Sequence, residues 1–216
     1  MSRPAGRGSA GCASERGSAL VLAMAACVLL LWFGSALVLL GMSESAVSGS
    51  FVRGTQTAYL AEAAVARAAV ELDALSNWND VLTGLASSSF REGAAEGVHE
   101  AGGVTVDLSA LTLTLNRSAA AGPFGLNNPR WRLFAWGPAE WLVGEDAIGY
   151  LAVWVADDPE EKDDDPLRDG GSEPGRGVLL MTAHAFGPGG VRRMVEVTVV
   201  RQPPLPTRLL AWRAVR

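Results

Sequence analysis

The sequence predicts an α+β fold, in which a long amino-terminal helix precedes a mainly antiparallel β-sheet. Two observations predict the helix: residues 18–43 carry no charged side chain, and the Ala-rich stretch that follows contains no proline as far as residue 75. A third observation predicts the sheet, because later stretches alternate apolar and polar residues between Gly- and Pro-rich turns. Since the helix comes first, its second half is expected to cover one face of the sheet.

The uncharged run from Ser18 to Ser43 has the length of a membrane-spanning helix. A bilayer core of about 30 Å needs roughly 20 helical residues, and this run has 26. Residues 1–17 form a basic leader, with Arg3, Arg7 and Arg16 against one acid, Glu15. Such a flank is expected to stay in the cytoplasm and to place the rest of the chain outside. The run is longer than the roughly 7–15 apolar residues of a cleaved secretory signal.

The sequence of residues 44–76 predicts that the same helix continues with an amphipathic second half. The whole helix is then about 55–60 residues long. The spacing predicts an apolar face made of Tyr59, Ala63, Ala66 and Val70. The polar side carries five charged residues: Arg53, Glu62, Arg67, Glu71 and Asp73. Of these, Arg67 and Glu71 are spaced to form an i,i+4 ion pair.

Residues 77–202 predict a β-rich outer domain. Residues 77–97 are expected to form a loop with one short helical turn, and residues 103–116 one or two strands. Further strands are predicted over residues 130–137 and up to Asp157. Two more, within residues 178–202, are joined by a turn at residues 186–190. Four tryptophans at strand-like positions are predicted to pack in the core: Trp131, Trp136, Trp141 and Trp154.

The sequence offers no motif for catalysis. Neither His99 nor His184 stands beside a nucleophile or metal-ligand motif, and no nucleotide-binding or hydrolase pattern occurs. His184 is expected to be a packed or exposed strand residue, and no enzyme activity is expected. The two cysteines, Cys12 and Cys27, cannot form a disulfide within the outer domain.

One loop, residues 157–176, concentrates the negative charge of the chain. Residues 157–169 hold eight acids and two bases, a local charge of −6 against −5 for the whole chain, so the remainder gives no basic patch for nucleic acid. Two interpretations stay open: a mobile solvated loop, or a calcium site. The spacing does not fit the EF-hand pattern. The candidate calcium ligands are Asp157, Asp158, Asp163 and Asp165.

The carboxyl-terminal tail, residues 203–216, is basic. Arg208, Arg213 and Arg216 flank the apolar residues Leu209, Leu210 and Trp212. This pattern suits either a short amphipathic helix at a membrane or partner surface, or a basic appendage that packs loosely.

The first part of the chain resembles the PilX-type minor pilins of type IV pilus assembly. The resemblance is carried by "SERG", by the aliphatic run beginning "SALVLAMAACVLLLW", and by "QTAYLAEAAVARAAVEL", within Glu15–Leu75. Residues 183–203 are similar to the closing hairpin of related proteins, which include the K-type pseudopilins of type II secretion. The resemblance implies a pilin-like fold. It also implies cleavage between Gly17 and Ser18, after Arg16, by a prepilin peptidase, and methylation of the new Ser18 amine.

The resemblance further implies a role without catalysis, in assembling or priming a pilus filament. The implied partners are other pilins or pseudopilins, the prepilin peptidase and an assembly platform in the bacterial inner membrane. Five small residues are expected to permit close helix packing: Ala19, Ala23, Gly34, Gly41 and Ser45. Leu22 occupies the fifth mature position, where most pilins carry Glu, which is typical of tip or initiation subunits. A type II secretion tip pseudopilin and a membrane-anchored binding protein that is never processed remain the alternatives.

Overall fold

The computed structural model describes residues 12–170, 176–201 and 205–215, with the backbone alone for residues 12–17. The basic leader therefore lies largely outside the described residues. The chain divides into two compact units, Met1–Ser50 and Phe51–Arg216. The predicted long helix is present as α1, Cys12–Ala74, and is somewhat longer than expected at 63 residues. Helical structure continues through Gly41, Gly49 and Gly54.

The second unit contains a five-stranded antiparallel sheet with the order β3-β4-β5-β6-β7, and a separate hairpin of β1 and β2. Its strands are β1 Val98–Ala101, β2 Val104–Asp107, β3 Arg132–Pro138, β4 Tyr150–Asp157, β5 Val178–Gly187, β6 Val191–Val200 and β7 Arg208–Val215. Its helices besides the end of α1 are α2 Asn79–Leu82, α3 Leu108–Ala120 and α4 Glu140–Val143. The predicted α+β class and mainly antiparallel sheet are confirmed.

One face of the sheet packs against the last part of α1, as predicted, but through different residues. Tyr59 and Val70, from the predicted apolar face, are 66% and 68% exposed. The residues of α1 that are buried in this core are Leu60, Ala61, Ala64, Val65, Ala68 and Leu72. The predicted face was wrong because alanine and valine recur all round this part of the helix, so that periodicity does not single out one side. The Arg67–Glu71 ion pair is present at 2.6 Å.

The opposite face of the sheet is covered by the β1–β2 hairpin and α3, a layer that the sequence did not predict. Its core consists of Val104, Val106, Leu108, Trp136, Tyr150, Ala152 and Trp154. Consecutive residues of β4 therefore point into opposite cores, and all eight are buried. A strand covered on both faces is apolar throughout rather than alternating, which is the observed sequence of β4.

Residues 103–116 were predicted to be strands, but only β2 forms there and the rest belongs to α3. The Asp107 carboxylate caps the helix by accepting the Ala110 N–H at 2.8 Å. Leu108, Leu111 and Leu115 are spaced at helical intervals and pack into the second core. The alternation of leucine and threonine favoured a strand, whereas the cap and this leucine spacing favour the observed helix.

The strands β3 to β6 lie where the sequence predicted them, and so does the helical turn α2. The β5–β6 turn begins at Gly187. A side chain at this position would collide with the side chain of Thr57 on α1. The hairpin β1–β2 was missed, although Gly102 and Gly103 at its turn have φ of 57° and 74°, a conformation that favours glycine.

The four tryptophans that were predicted to pack in the core differ in their burial. Trp136 and Trp154 are buried and Trp131 is partly buried against the second core, as predicted. Trp141 lies on α4 rather than on a strand and is 57% exposed, so its predicted core position was wrong.

The carboxyl-terminal tail forms β7, which is neither the helix nor the loosely packed appendage expected from its sequence. Val200 pairs with Arg208 and Met194 with Val215, so the strand lies along β6 from Met194 to its end. The Thr207 N–H also donates to Asp73 Oδ1 of α1 at 2.7 Å. Seven of the eight β7 residues are exposed, so the strand is held by backbone pairing more than by burial.

Candidate functional site

The apolar segment, residues 18–43, lies entirely on the exposed surface of α1. Three of its large side chains, Leu30, Trp32 and Phe33, are 68–76% exposed. The helix from Ser18 to Ala74 is long and apolar enough to cross a membrane once, by length and composition. Signal sequences near an amino terminus meet the same two criteria. A single membrane span therefore agrees with the described residues.

The processing position predicted from the resemblance lies near the start of α1. Arg16 and Gly17 belong to its helical backbone, and Ser18 is the first residue whose side chain is described. Ser18 is exposed. Cleavage between Gly17 and Ser18 stays a prediction.

The five small residues predicted for helix packing lie on one side of α1. At about 100° per residue, the positions of Ala19, Ala23, Gly34, Gly41 and Ser45 fall within an arc of about 80°. All five are exposed, and a side chain at Gly34 or Gly41 would meet no other atom within 4 Å. No contact within the described chain therefore accounts for glycine at these two positions.

The acidic loop places three carboxylates together: Asp157 at the end of β4, Glu161 and Asp169. We call these three residues the acidic cluster; one carboxylate oxygen from each lies within 4.8 Å of the others. Asp157 and Glu161 are 3% and 1% exposed, and Asp169 is half-buried. Asp157 was a predicted calcium ligand, whereas Glu161 and Asp169 were not predicted.

The other three predicted ligands stand outside the acidic cluster. The carboxylates of Asp158 and Asp165 each accept a hydrogen bond from a backbone N–H two residues further on. Asp163 Oδ1 does the same, but its Oδ2 is buried and has no hydrogen-bond partner among the described residues. Asp163 thus stays next to the cluster, while Asp158 and Asp165 serve local turns. The four-residue step from Asp157 to Glu161 was a visible signal, but the approach of Asp169 depends on the folded loop.

Burial and like charges act together on the acidic cluster. Burial raises the pKa of Asp157 to about 8, and the nearby charge of Glu161 contributes to the same shift. Asp169 and Asp163 add to it, whereas a backbone hydrogen bond from Asp158 opposes it. Burial also raises the pKa of Asp169, although Arg201 and Arg176 partly compensate its charge. The cluster therefore favours either bound protons or a bound cation.

Hydrogen bonds join the acidic cluster to two neighbouring segments, and a further one lies within its own loop. The Asp169 N–H donates to Asn79 Oδ1 of α2 at 2.7 Å. The Gly177 N–H, next to β5, donates to Asp169 Oδ1 at 2.6 Å, and the Gly170 N–H donates to Glu161 Oε1 at 3.3 Å. The cluster therefore lies where the β4–β5 loop meets α2 and the start of β5.

The two histidines occupy separate polar sites. His184 is buried on β5, as a packed strand residue, between Thr182 Oγ1 at 3.1 Å and Arg192 Nη2 at 2.9 Å. Burial, with a contribution from Arg192, lowers its pKa to about 3, so the ring is neutral at pH 7. A neutral ring held by two neighbours and packed on Trp154 is a structural element of the second core.

His99 belongs to a small cluster with Glu92 and Tyr150. Its Nδ1 lies 3.2 Å from Glu92 Oε2, and its ring centroid is 5.6 Å from that of Tyr150. Burial, together with Glu92, raises the pKa of the Tyr150 hydroxyl. A tyrosine that holds its proton more firmly is a poor general base. The geometry therefore suits a structural contact between the β1–β2 hairpin and the sheet.

A groove of about 560 Å³ opens between α3 and the β6–β7 side of the sheet. Its walls include Leu115, Phe124, Trp131 and Trp212, with Glu196 on β6. Its lining is mainly apolar, and Trp212 on it is 46% exposed.

Comparison with known proteins finds no matching family model, no matching curated protein and no matching solved structure.

Proposed function

We propose that this chain is a minor pilin-like subunit without catalytic activity, which takes part in assembling or priming a type IV pilus filament through its amino-terminal helix. It is anchored in the bacterial inner membrane by one span, with the amino terminus in the cytoplasm and residues 77–202 outside. The observation that carries the proposal is α1. One helix supplies an uncharged, fully exposed apolar segment and, further along, the residues that pack in the core of the β-rich unit.

The way in which α1 is used supports an assembly helix over a simple anchor. A simple anchor needs only apolar residues across the bilayer, and a flexible linker is sufficient to join it to a domain. Here the chain is helical from Cys12 to Ala74, without a linker. The resemblance of residues 15–75 to the minor pilins supports the same conclusion.

The mechanism that we propose is physical. Lipid tails are as apolar as leucine, so moving the apolar segment from lipid into a bundle of similar helices gains little from the hydrophobic effect. Close packing must supply the gain, and Gly34 and Gly41 permit a partner helix to approach the backbone of α1. Leu22 leaves this segment without a buried charge, so insertion needs no ionic partner at that position. Extraction from the membrane then requires an external motor, which a separate assembly ATPase would provide.

The test is the mass of the mature chain, measured on full-length protein expressed in bacterial membranes with and without a prepilin peptidase. We expect the peptidase to produce a chain that begins at Ser18 and carries the mass of one added methyl group. The tripeptide Arg-Gly-Ser occurs twice, at residues 7–9 and 16–18, and only the second adjoins the apolar segment. The substitution Gly17→Val should therefore block processing, and the matched control Gly8→Val should leave it intact.

Two results would contradict the proposal. A chain that keeps its leader in the presence of an active peptidase would favour the membrane-anchored binding protein. Cleavage at Ser18 followed by co-purification with a secretion pseudopilin, and not with a pilus subunit, would favour the type II secretion tip complex.

A further inference from the structure

The buried end of β4 carries a carboxylate that the described protein only partly satisfies. Asp157 is 3% exposed, and its Oδ1 has no hydrogen-bond partner among the described residues. A buried charged oxygen without a partner is costly, and such oxygens in folded proteins commonly contact a proton, a water molecule or a cation. One carboxylate oxygen of Asp157 lies within 4.8 Å of oxygens of Glu161 and Asp169, so a cation bound there would contact all three residues.

The geometry of the acidic cluster fits a single ion. Calcium binds oxygen at about 2.3–2.6 Å, so two oxygens on opposite sides of one ion lie about 4.6–5.2 Å apart. The three carboxylates of the cluster each place an oxygen within 4.8 Å of the others. The three oxygens therefore lie close enough together to bind the same ion.

The donor set selects the class of cation. All three residues offer carboxylate oxygen, with neither histidine nor cysteine among them, which suits a hard cation rather than zinc or copper. Calcium accepts six to eight oxygens in irregular arrangements, whereas magnesium demands a near-ideal octahedron and keeps most of its water. Three carboxylates from one irregular loop suit calcium better, and Asp163 Oδ2 on the same loop is buried without a hydrogen-bond partner among the described residues.

We propose that Asp157, Glu161 and Asp169 bind one calcium ion, which fastens the β4–β5 loop to the end of the sheet. Asp163 is the candidate for an additional ligand, and water completes the coordination. Because Asp169 is bonded to Asn79 of α2 and to Gly177 before β5, the ion would connect both ends of the loop with α2. This inference goes beyond the proposed function and does not depend on processing at Ser18.

The test uses full-length protein in detergent micelles, stripped with a chelator and titrated calorimetrically with calcium chloride, then separately with magnesium chloride. We expect one calcium site with a dissociation constant of about 10⁻⁵ to 10⁻³ M and much weaker binding of magnesium. Asp157→Asn and Glu161→Gln should each weaken calcium binding about tenfold or more. The matched control is Asp164→Asn on the same loop: Asp164 is exposed and has φ of 61°, which asparagine tolerates equally well.

A second measurement requires no variant. Because the bound ion would fasten the β4–β5 loop to the end of the sheet, calcium should raise the melting temperature of the chelator-treated protein at constant pH. Magnesium at the same concentration should raise it much less.

The proposal is overturned if calcium fails to saturate the protein below about 10 mM. It is also overturned if Asp157→Asn folds and binds calcium as well as Asp164→Asn does. A melting temperature that is the same with and without calcium would also overturn it. Should Asp157→Asn fail to fold, Glu161→Gln and the melting temperature of the unmodified chain decide the question.

Discussion

His184 and Asp157 are buried ionisable residues whose pKa values move in opposite directions for one shared reason. Burial disfavours the charged form of each, so it lowers the pKa of the imidazole and raises that of the carboxyl. Both residues are less than 4% exposed. They differ in their neighbours: His184 is held by Thr182 and Arg192, whereas Asp157 faces other acids. The histidine is therefore satisfied as a neutral ring, and the aspartate requires a further partner.

His184 should make the protein less stable in acid. Its pKa is about 3 when folded and near 6.5 when unfolded, so between these values the unfolded state binds the extra proton. The free energy of unfolding should therefore decrease as pH falls from 6.5 to 3, by at most about 1.4 kcal/mol per pH unit from this group. His184→Gln should reduce that slope in urea titrations at several pH values. Thr182→Val keeps the ring and should keep the slope; equal slopes for both variants would refute the assignment.

At the scale of one element, the buried face of α1 cannot be identified from its Ala-rich sequence. Ala66 was predicted to be buried, yet it is exposed, and Ala68 two residues later is fully buried. The two side chains are identical and lie roughly 200° apart round the helix. Only the position of the sheet distinguishes them.

The two alanines provide a matched pair of variants. Ala68→Leu should lower the free energy of unfolding by about 1–3 kcal/mol, because Ala68 is fully buried and the core must accommodate three more carbon atoms. Ala66→Leu should change it by less than about 0.5 kcal/mol, since the side chain enters solvent. Thermal unfolding of the outer unit in the full-length protein would measure both. A larger loss of stability for Ala66→Leu than for Ala68→Leu would support the buried face that was predicted from the sequence.

Helix α3 depends on Asp107, the residue that caps its amino terminus. Asp107→Ala should cost about 1 kcal/mol in the free energy of unfolding, because the carboxylate that accepts the Ala110 N–H is lost. Asp107→Asn keeps an acceptor oxygen and should cost only a few tenths. Denaturant unfolding measured on both variants would compare them. Equal losses for Ala and Asn would show that the hydrogen bond is not what stabilises α3.

At the scale of the whole molecule, the apolar segment and the β-rich unit have different requirements. The segment is uncharged and exposed along its whole length, while the unit Phe51–Arg216 has two cores of its own. The segment therefore requires lipid or partner helices, and the unit requires neither to bury its apolar residues.

This difference predicts how the two parts of the chain distribute between the membrane and the soluble fraction. The full chain should resist extraction from membranes by alkaline carbonate, whereas a chain limited to residues 51–216 should stay in the soluble fraction and unfold cooperatively. Leu30→Arg should weaken membrane insertion by about 3 kcal/mol, and Leu30→Ala by much less. A truncated chain that still sediments with membranes, or an arginine variant that inserts as well as the unmodified chain, would contradict it.

The sequence by itself determined the long helix, the strands β3 to β6 and the α+β class. These features rest on local patterns: an uncharged run, helix-favouring alanines, and apolar stretches between Gly- and Pro-rich turns. The pattern also located the acidic loop, because charge density is visible without a fold. Asp157 was identified for this reason.

Only the tertiary structure decided which of several local possibilities each remaining segment adopts. The sheet selected the buried face of α1, the second core favoured α3 over a strand, and the open edge of β6 turned the tail into β7. In the same way, folding brought Asp169 to Asp157 across the loop and left Asp158 and Asp165 in local turns. The physical reason is common to all: these outcomes depend on contacts between residues far apart in the chain, and such contacts leave no periodic trace in the sequence.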